Sequence, residues 1–202
     1  MRIAITGAGG QVGRSLTSQI PAGVDVLGWS HKDLDIADSG AVMEAVRRYS
    51  PEVIINAAAY TAVDRAESEP DLARKINVDG ARHLASAARA IGARLIHIST
   101  DFVFDGTASV PYKPDASTNP LSAYGATKRD GERAVLDELP EHSAIVRTAW
   151  VYAADGSNFV RTMLRVMKAN GIVRVVADQV GTPTSAHSLA EVLWRIASNP
   201  DI

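Results

Sequence analysis

The sequence predicts an α/β fold, a doubly wound parallel sheet with helices on both faces. Three observations lead there. Short apolar runs of strand length alternate along the chain with longer segments whose apolar residues recur every three or four positions. The first run passes directly into a glycine-rich turn, Gly7-Ala-Gly-Gly10-Gln11-Val12-Gly13, and then into a helical pattern. The 202 residues, 46% hydrophobic and 22% charged, suffice for one domain with a full core and part of a second.

Arg2 to Thr6 is apolar and closed by glycine, as expected of a buried first strand. The following helix carries Val12, Leu16 and Ile20 on one stripe. Val24 to Trp29 is the second strand. Asp38 or Ser39 caps the next helix, with Val42, Val46 and Tyr49 facing inward and Pro51 as its stop. Val53 to Asn56 is the third strand and leads into a small-residue turn, Ala57 to Ala59. A single long helix is expected from Ser68 to Ile91, opened by Ser68-Glu-Pro-Asp71 and stopped at Gly92. Arg94 to Ser99 is the fourth strand, and Thr100 to Asn119 is expected to be irregular. A helix from Ser122 to Glu138 precedes a fifth strand, Ala144 to Thr148. A helix from Asn158 to Ala169, closed by Asn170-Gly171, precedes a further strand, Ile172 to Val176. After a loop, Asp178 to Thr184, a last helix runs from Ser185 to Ser198. Neither an internal repeat nor a linker interrupts the pattern.

Several function classes are excluded or disfavoured. A formal net charge of −2 gives no field that would draw nucleic acid or an anionic membrane. The chain has no cysteine, so thiol nucleophiles, thiolate metal sites and disulfides are absent. No run approaches the ~18 apolar residues of a membrane span. The N-terminus enters a strand without a signal-peptide pattern, and a cytoplasmic location is the expectation. His83, His97 and His142 lack metal-ligand spacing and are expected to be structural, with no metal site.

Glycines let backbone amides approach a pyrophosphate, and a helix N-terminus favours its charge. Gly7, Gly10 and Gly13 stand in that context, and no Gly-Lys-Ser/Thr follows to suggest a triphosphate loop. NADPH or NADH is therefore the expected cofactor. The second strand ends Trp29-Ser30-His31-Lys32, with no carboxylate to read a ribose 2′-hydroxyl. Either His31 and Lys32 accept a 2′-phosphate, which suits NADP or dual use, or they are solvated loop residues. Asp35 is placed to contact the adenine or its ribose.

Tyr124 and Lys128, at i and i+4 of one helix, share a face with Cβ atoms about 5–6 Å apart. An ammonium there is expected to lower the phenol pKa, so that tyrosine can protonate a carbonyl oxygen as hydride reaches carbon. Thr100, at another strand end, can hydrogen-bond the same oxygen. The bland alternative is a solvent-facing helix. Asp101 and Asp105 are either turn residues or, for Asp101, a contact to sugar hydroxyls. Trp150 either stacks on a sugar or sits in the core.

With these residues in view, the chain resembles the dTDP-4-dehydrorhamnose reductase family of extended short-chain dehydrogenases/reductases. The resemblance rests on Thr6 to Gly13, Asn56-Ala-Ala-Ala-Tyr-Thr-Ala-Val-Asp64, Asn77, Ser99-Thr-Asp-Phe-Val-Phe-Asp-Gly106, Tyr124 to Lys128, Arg147 to Tyr152 and Asp178-Gln-Val-Gly-Thr-Pro-Thr184. It implies a Rossmann-type fold and reduction of the 4-keto group of dTDP-4-dehydro-6-deoxy-L-mannose by NAD(P)H, in dTDP-rhamnose and cell-surface polysaccharide biosynthesis. Tyr124 would be the proton donor, Lys128 its partner and Thr100 the hydroxyl on the keto oxygen. Gly7, Gly10, Gln11, Val12 and Gly13 would cradle the pyrophosphate, with Ser30, Asp35 and Ile36 by the adenosine. Ala58, Ala59, Tyr60 and Thr61 would lie near the ribose and phosphates, and Thr100, Asp101 and Trp150 against the substrate.

The implied division is a cofactor domain with the Thr/Tyr/Lys set over residues 1–149. Residues 150–202 would complete the sheet and begin a substrate-binding region that family members continue beyond Ile202. The family also allows a homodimer. Some members dimerise through carboxylates around Mg²⁺; His187 stands where a glutamate would, so that metal is not carried over. Phe102 replaces a common tyrosine. It also disfavours a sugar dehydratase, which would carry glutamate after Thr-Asp. An epimerase using the same Tyr–Lys pair, and a non-catalytic regulatory subunit like that of methionine adenosyltransferase, are the alternatives.

Overall fold

A computed structural model describes residues 1–199. Five parallel strands form the central sheet: β1 (Arg2–Thr6), β2 (Asp25–Trp29), β3 (Val53–Asn56), β4 (Arg94–Thr100) and β5 (Ser143–Thr148), in the order β2-β1-β3-β4-β5. The expected doubly wound class is therefore observed. The strand order reverses between β1 and β3, and the crevice beyond the carboxyl ends at such a point is where ligands bind in open α/β sheets.

Alternation along the strands explains the layers. Ala4, Ile54 and Leu95 point to one face, where α2 (Ser39–Tyr49), α5 (Gly80–Ile91) and the end of α6 (Ala123–Glu138) cover them through Val42, Val46, Leu84 and Val135. Ile3, Ile5, Val53, Ile55 and Ile96 point to the other, against Leu16 of α1 (Gln11–Ser18) and Leu189, Leu193 and Trp194 of α8 (Ala186–Ser198). Burial on both faces is why these strands read as continuous apolar runs. Asp38 caps α2 by accepting from the Ala41 N–H, and Gly92 ends α5 in the left-handed region at φ 70°.

Four expectations are corrected. α1 ends at Ser18, and Ile20 is exposed, because Pro21 disfavours helical geometry in the residue before it. The helix expected from Ser68 to Ile91 is broken: α3 (Val63–Ala66) precedes it, α4 spans Pro70–Arg74, and a π-helical turn, Lys75–Asp79, joins α4 to α5. Ser68 does not cap it; its hydroxyl donates to the Arg65 carbonyl, and Glu69 holds the cap position without a side-chain bond. Ile172 to Val176 forms no strand and pairs with none of the strands among the described residues. Instead β6 (Val151–Tyr152) and β7 (Thr184–Ser185) make a two-residue parallel pair flanking α7 (Phe159–Asn170). α7 buries none of its residues.

The π turn has a local purpose. It aims Asn77 so that Oδ1 accepts the Tyr60 N–H at 2.8 Å, while Nδ2 donates to the Tyr60 carbonyl and to Thr127 Oγ1, both at 3.1 Å. One amide thus ties the turn after β3 to helix α6. No helix among the described residues is long and apolar enough to cross a membrane.

Candidate active site

The glycine loop is packed from beneath. Gly7 has φ +68°, and a Cβ there would lie 2.6 Å from the backbone of Ala57 and Ala58. A Cβ on Gly13 would lie 2.2 Å from the Gly7 carbonyl oxygen. Gly10 caps α1 without a side-chain bond, and the first turn of α1 holds no acidic residue. Its amides therefore face the cleft with no competing carboxylate, which fits a dinucleotide pyrophosphate.

A cleft of about 1270 Å³ opens beyond the carboxyl edge of the sheet. That exceeds the ~300–1,000 Å³ of ordinary small-molecule sites and suits a dinucleotide with a second ligand beside it. Gly7, Gly10, Gln11 and Val12 line it, as do Ser30, Asp35 and Ile36, then Ala58, Ala59, Tyr60 and Thr61. Thr100, Asp101, Tyr124, Lys128 and Trp150 line its other part. Of the expected site residues only Gly13 stays outside the lining; its closeness to Gly7 makes it a packing residue of the loop.

At the β2 end, the Asp33 carboxylate accepts from the Ser30 amide at 2.8 Å and the Ser30 hydroxyl at 2.6 Å. These bonds hold the Asp33 pKa below its ordinary value. His31 and Lys32 are exposed beside them on the cleft wall. Tyr60 gives its phenolic proton to Glu69 at 2.6 Å, and Tyr60 and Thr61 both line the cleft.

At the β4 end, Thr100 Oγ1 donates to Asp101 Oδ1 at 3.0 Å and accepts the Phe102 N–H at 3.2 Å. The Phe102 ring meets Tyr124 edge-on, with centroids 5.6 Å apart. Gly125 allows this approach, because a Cβ there would fall 2.2 Å from the Phe102 carbonyl oxygen. Burial raises the Asp101 pKa against the Thr100 hydrogen bond. Asp105 fits the turn reading: it accepts from Thr107, Tyr112 and Asn119, and its pKa is held far below the ordinary range. Trp150 is not a core tryptophan. It is 44% exposed at φ +48°, and Gly181 lies so flat on its ring that a Cβ would be 2.8 Å away.

The expected effect of Lys128 on Tyr124 is not what this geometry gives. Burial raises the Tyr124 pKa, the neighbouring Thr100 hydroxyl opposes the rise, and the Asp101 charge adds to it. Lys128 is itself 1% exposed. Its Nζ donates to the Ile98 carbonyl at 2.7 Å and lies 3.3 Å from His97 Nε2. Burial lowers its pKa to about 8, against the attraction of Glu132. A lysine whose pKa is lower folded than unfolded makes stability rise with pH between those two values. We expect urea midpoints to climb from about pH 8 toward 10.5, and the Lys128→Met variant to lack that component.

Sequence reasoning missed His97. It is buried between Asn56 and Lys128. Its neighbours follow from strand register, which no spacing in the sequence reveals. Ser99 and Thr148, whose buried hydroxyls have no hydrogen-bond partner among the described residues, also line the cleft. Asn158 Nδ2 reaches Gln11 Oε1 at 3.1 Å, and Arg14 pairs with Asp155 at 2.8 Å, so the segment after β6 is fastened to the glycine loop. Among the described residues no group of three or more His, Asp or Glu side chains could hold a metal.

Residues 1–201 match the family described as RmlD substrate binding domain. A dTDP-4-dehydrorhamnose reductase of Streptomyces griseus is 51% identical over 197 residues, covering 96% of this chain and 64% of that protein. The chain thus spans a little under two thirds of that relative's length. Among solved structures, a Clostridium acetobutylicum dTDP-4-dehydrorhamnose reductase superposes with TM-score 0.94 at 47% identity, covering 97% of this chain and 70% of its own. A Bacillus anthracis dTDP-4-dehydrorhamnose reductase in complex with NADP gives TM-score 0.94 at 41% identity, with the same coverage of 97% and 70%.

Proposed function

The chain belongs to the RmlD family, alongside dTDP-4-dehydrorhamnose reductases, and on that premise we propose that it takes part in NAD(P)H-dependent reduction of a dTDP-linked 4-keto-6-deoxyhexose. The finer reading is reduction of dTDP-4-dehydro-6-deoxy-L-mannose to dTDP-L-rhamnose. One observation carries it: Thr100, Tyr124 and Lys128 line the same cleft as the glycine loop. In this reading residues 1–149 hold the cofactor, and residues 150–202 begin the substrate side.

A bound reduced nicotinamide supplies the hydride. The chain's residues do the rest. Thr100 Oγ1, turning from Asp101, holds the keto oxygen, and Tyr124 gives that oxygen its phenolic proton. A raised Tyr124 pKa serves this direction, because the acid must start protonated. Trp150 and Asp101 meet the sugar. His31 and Lys32, exposed on the cleft wall, would hold a 2′-phosphate of NADPH.

Two measurements check this reading. Mixed with NADPH and dTDP-4-dehydro-6-deoxy-L-mannose, the protein should oxidise one NADPH per sugar reduced. No oxidation, together with stable binding to a partner protein, would point to the regulatory-subunit reading. For the cofactor wall, Lys32→Glu should weaken NADPH about tenfold, a cost of about 1.4 kcal/mol, with NADH little changed. Titration of each nucleotide by fluorescence reads both constants.

A further inference from the structure

Thr6, Asn56 and His97 form a row across the ends of three strands: Thr6 is the register partner of Asn56, and Asn56 of His97. Each is 1% exposed. Their hydrogen bonds have a determined direction. The Ala58 amide can only donate, and it reaches Asn56 Oδ1 at 3.0 Å. Thr6 Oγ1 donates to the same oxygen at 2.7 Å. The Asn56 amide is thereby oriented with its NH₂ toward His97 Nδ1, 2.9 Å away. Nδ1 must accept, so the ring proton of neutral His97 sits on Nε2. Nε2 in turn lies 3.3 Å from Lys128 Nζ.

An Nε2–H can donate to the lone pair of a neutral amine. Facing an ammonium, it sets donor against donor. We propose that Thr6, Asn56 and His97 are a positioning chain for Lys128, offering its Nζ an N–H and so lowering the pH at which it gives up its charge. The charged form would need Nε2 as an acceptor and the ring proton on Nδ1, opposite the Asn56 NH₂. Relieving that clash requires the Asn56 amide to flip, losing the bonds from Ala58 and Thr6. Protonation of Lys128 is thus coupled to a buried amide two strands away.

Glu132, one turn along α6, favours the ammonium but is engaged by Arg147 of β5 at 2.7 and 2.9 Å. From the cleft side come Tyr124 and Asp101, and from β4 the Ile98 carbonyl, which accepts in either state. Burial disfavours charge on both partners: the His97 pKa lies well below its ordinary value, and the Lys128 charge lowers it further.

The chain's role in turnover rests on the proposed reductase reading, so the deciding readouts are taken without substrate. Long-range ¹H–¹⁵N correlations report the His97 tautomer, and the ¹³Cε shift of Lys128 reports its titration. We expect a Lys128 midpoint near pH 8 and, above that midpoint, neutral His97 with its proton on Nε2. Asn56→Asp offers His97 only acceptors. It should move the ring proton to Nδ1 and raise the Lys128 midpoint by about one unit or more. Asn56→Ser, uncharged, should mix the tautomers and raise the midpoint by less, which keeps the test available if the aspartate variant does not fold. An Nδ1-protonated or imidazolium ring in the wild type above the Lys128 midpoint overturns the proposal. So does a Lys128 midpoint that stays fixed when the tautomer changes. A chain without reductase activity would leave these spectra unaltered, so the two claims fail separately.

Discussion

Replacing Tyr124 with phenylalanine is expected to lower turnover about 10²- to 10⁴-fold, the range a positioned general acid contributes. Only the phenolic oxygen is removed. The ring keeps its edge-on contact with Phe102, 5.6 Å between centroids, and α6 keeps its Ser122 cap on the Gly125 amide. Stability and NADPH affinity should therefore stay close to wild type, and the loss should fall on kcat. Stopped-flow reduction at saturating sugar, paired with NADPH titration, separates these. A variant retaining more than a tenth of wild-type kcat would remove Tyr124 as the proton donor.

The second large effect concerns the glycine loop. Gly13→Ala sets a methyl 2.2 Å from the Gly7 carbonyl oxygen and 2.6 Å from Ala8 Cα, both backbone atoms that cannot swing aside. Moving them costs about 1–3 kcal/mol of stability, and the displaced amides should weaken NADPH at least about tenfold. Gly9→Ala is the informative contrast. Its Cβ would meet only Ser30 Cβ at 3.8 Å, and Gly9 lines the cleft. It should leave the urea midpoint unchanged while lowering NADPH affinity, because the methyl enters the space assigned to the pyrophosphate. Equal stability and equal affinity for Gly9→Ala would argue against that assignment.

Much of the fold was legible because local chemistry and tertiary demand agree. β1 and β3 are buried on both faces and read as unbroken apolar runs, β4 is apolar apart from His97 and its polar ends, and Asp38, Gly92 and Gly171 mark helix ends by mechanisms confined to a few residues. The convergence of the glycine loop, Thr100, Tyr124 and Lys128 on one cleft was also legible, since parallel strands gather their carboxyl ends. What was hidden depends on partners distant in sequence. Ile172 to Val176 has strand-like composition, yet a strand needs a ladder, and α8 turns back to cover the other face of the sheet instead. The π turn that aims Asn77 onto Tyr60 leaves no mark in helical periodicity. His97 carried no ligand spacing; its importance comes from register with Asn56 and from Lys128 reaching across from α6. The pKa of Tyr124 was misjudged for a related reason. Spacing on a helix puts Lys128 near, but the buried amine turns to Ile98 and His97 rather than to the phenol.

The proposed reductase reaction turns on hydride delivery to C4 of a nucleotide-linked keto sugar. It is tested most directly with NADPH deuterated at the transferring position and dTDP-4-dehydro-6-deoxy-L-mannose, followed by NMR of the sugar. One deuterium at C4 of the product is expected, with one NADPH consumed per deuterium placed, and both should be lost in Tyr124→Phe. Conversion of the sugar without NADPH consumption and without deuterium at C4, as an epimerase would give, contradicts it.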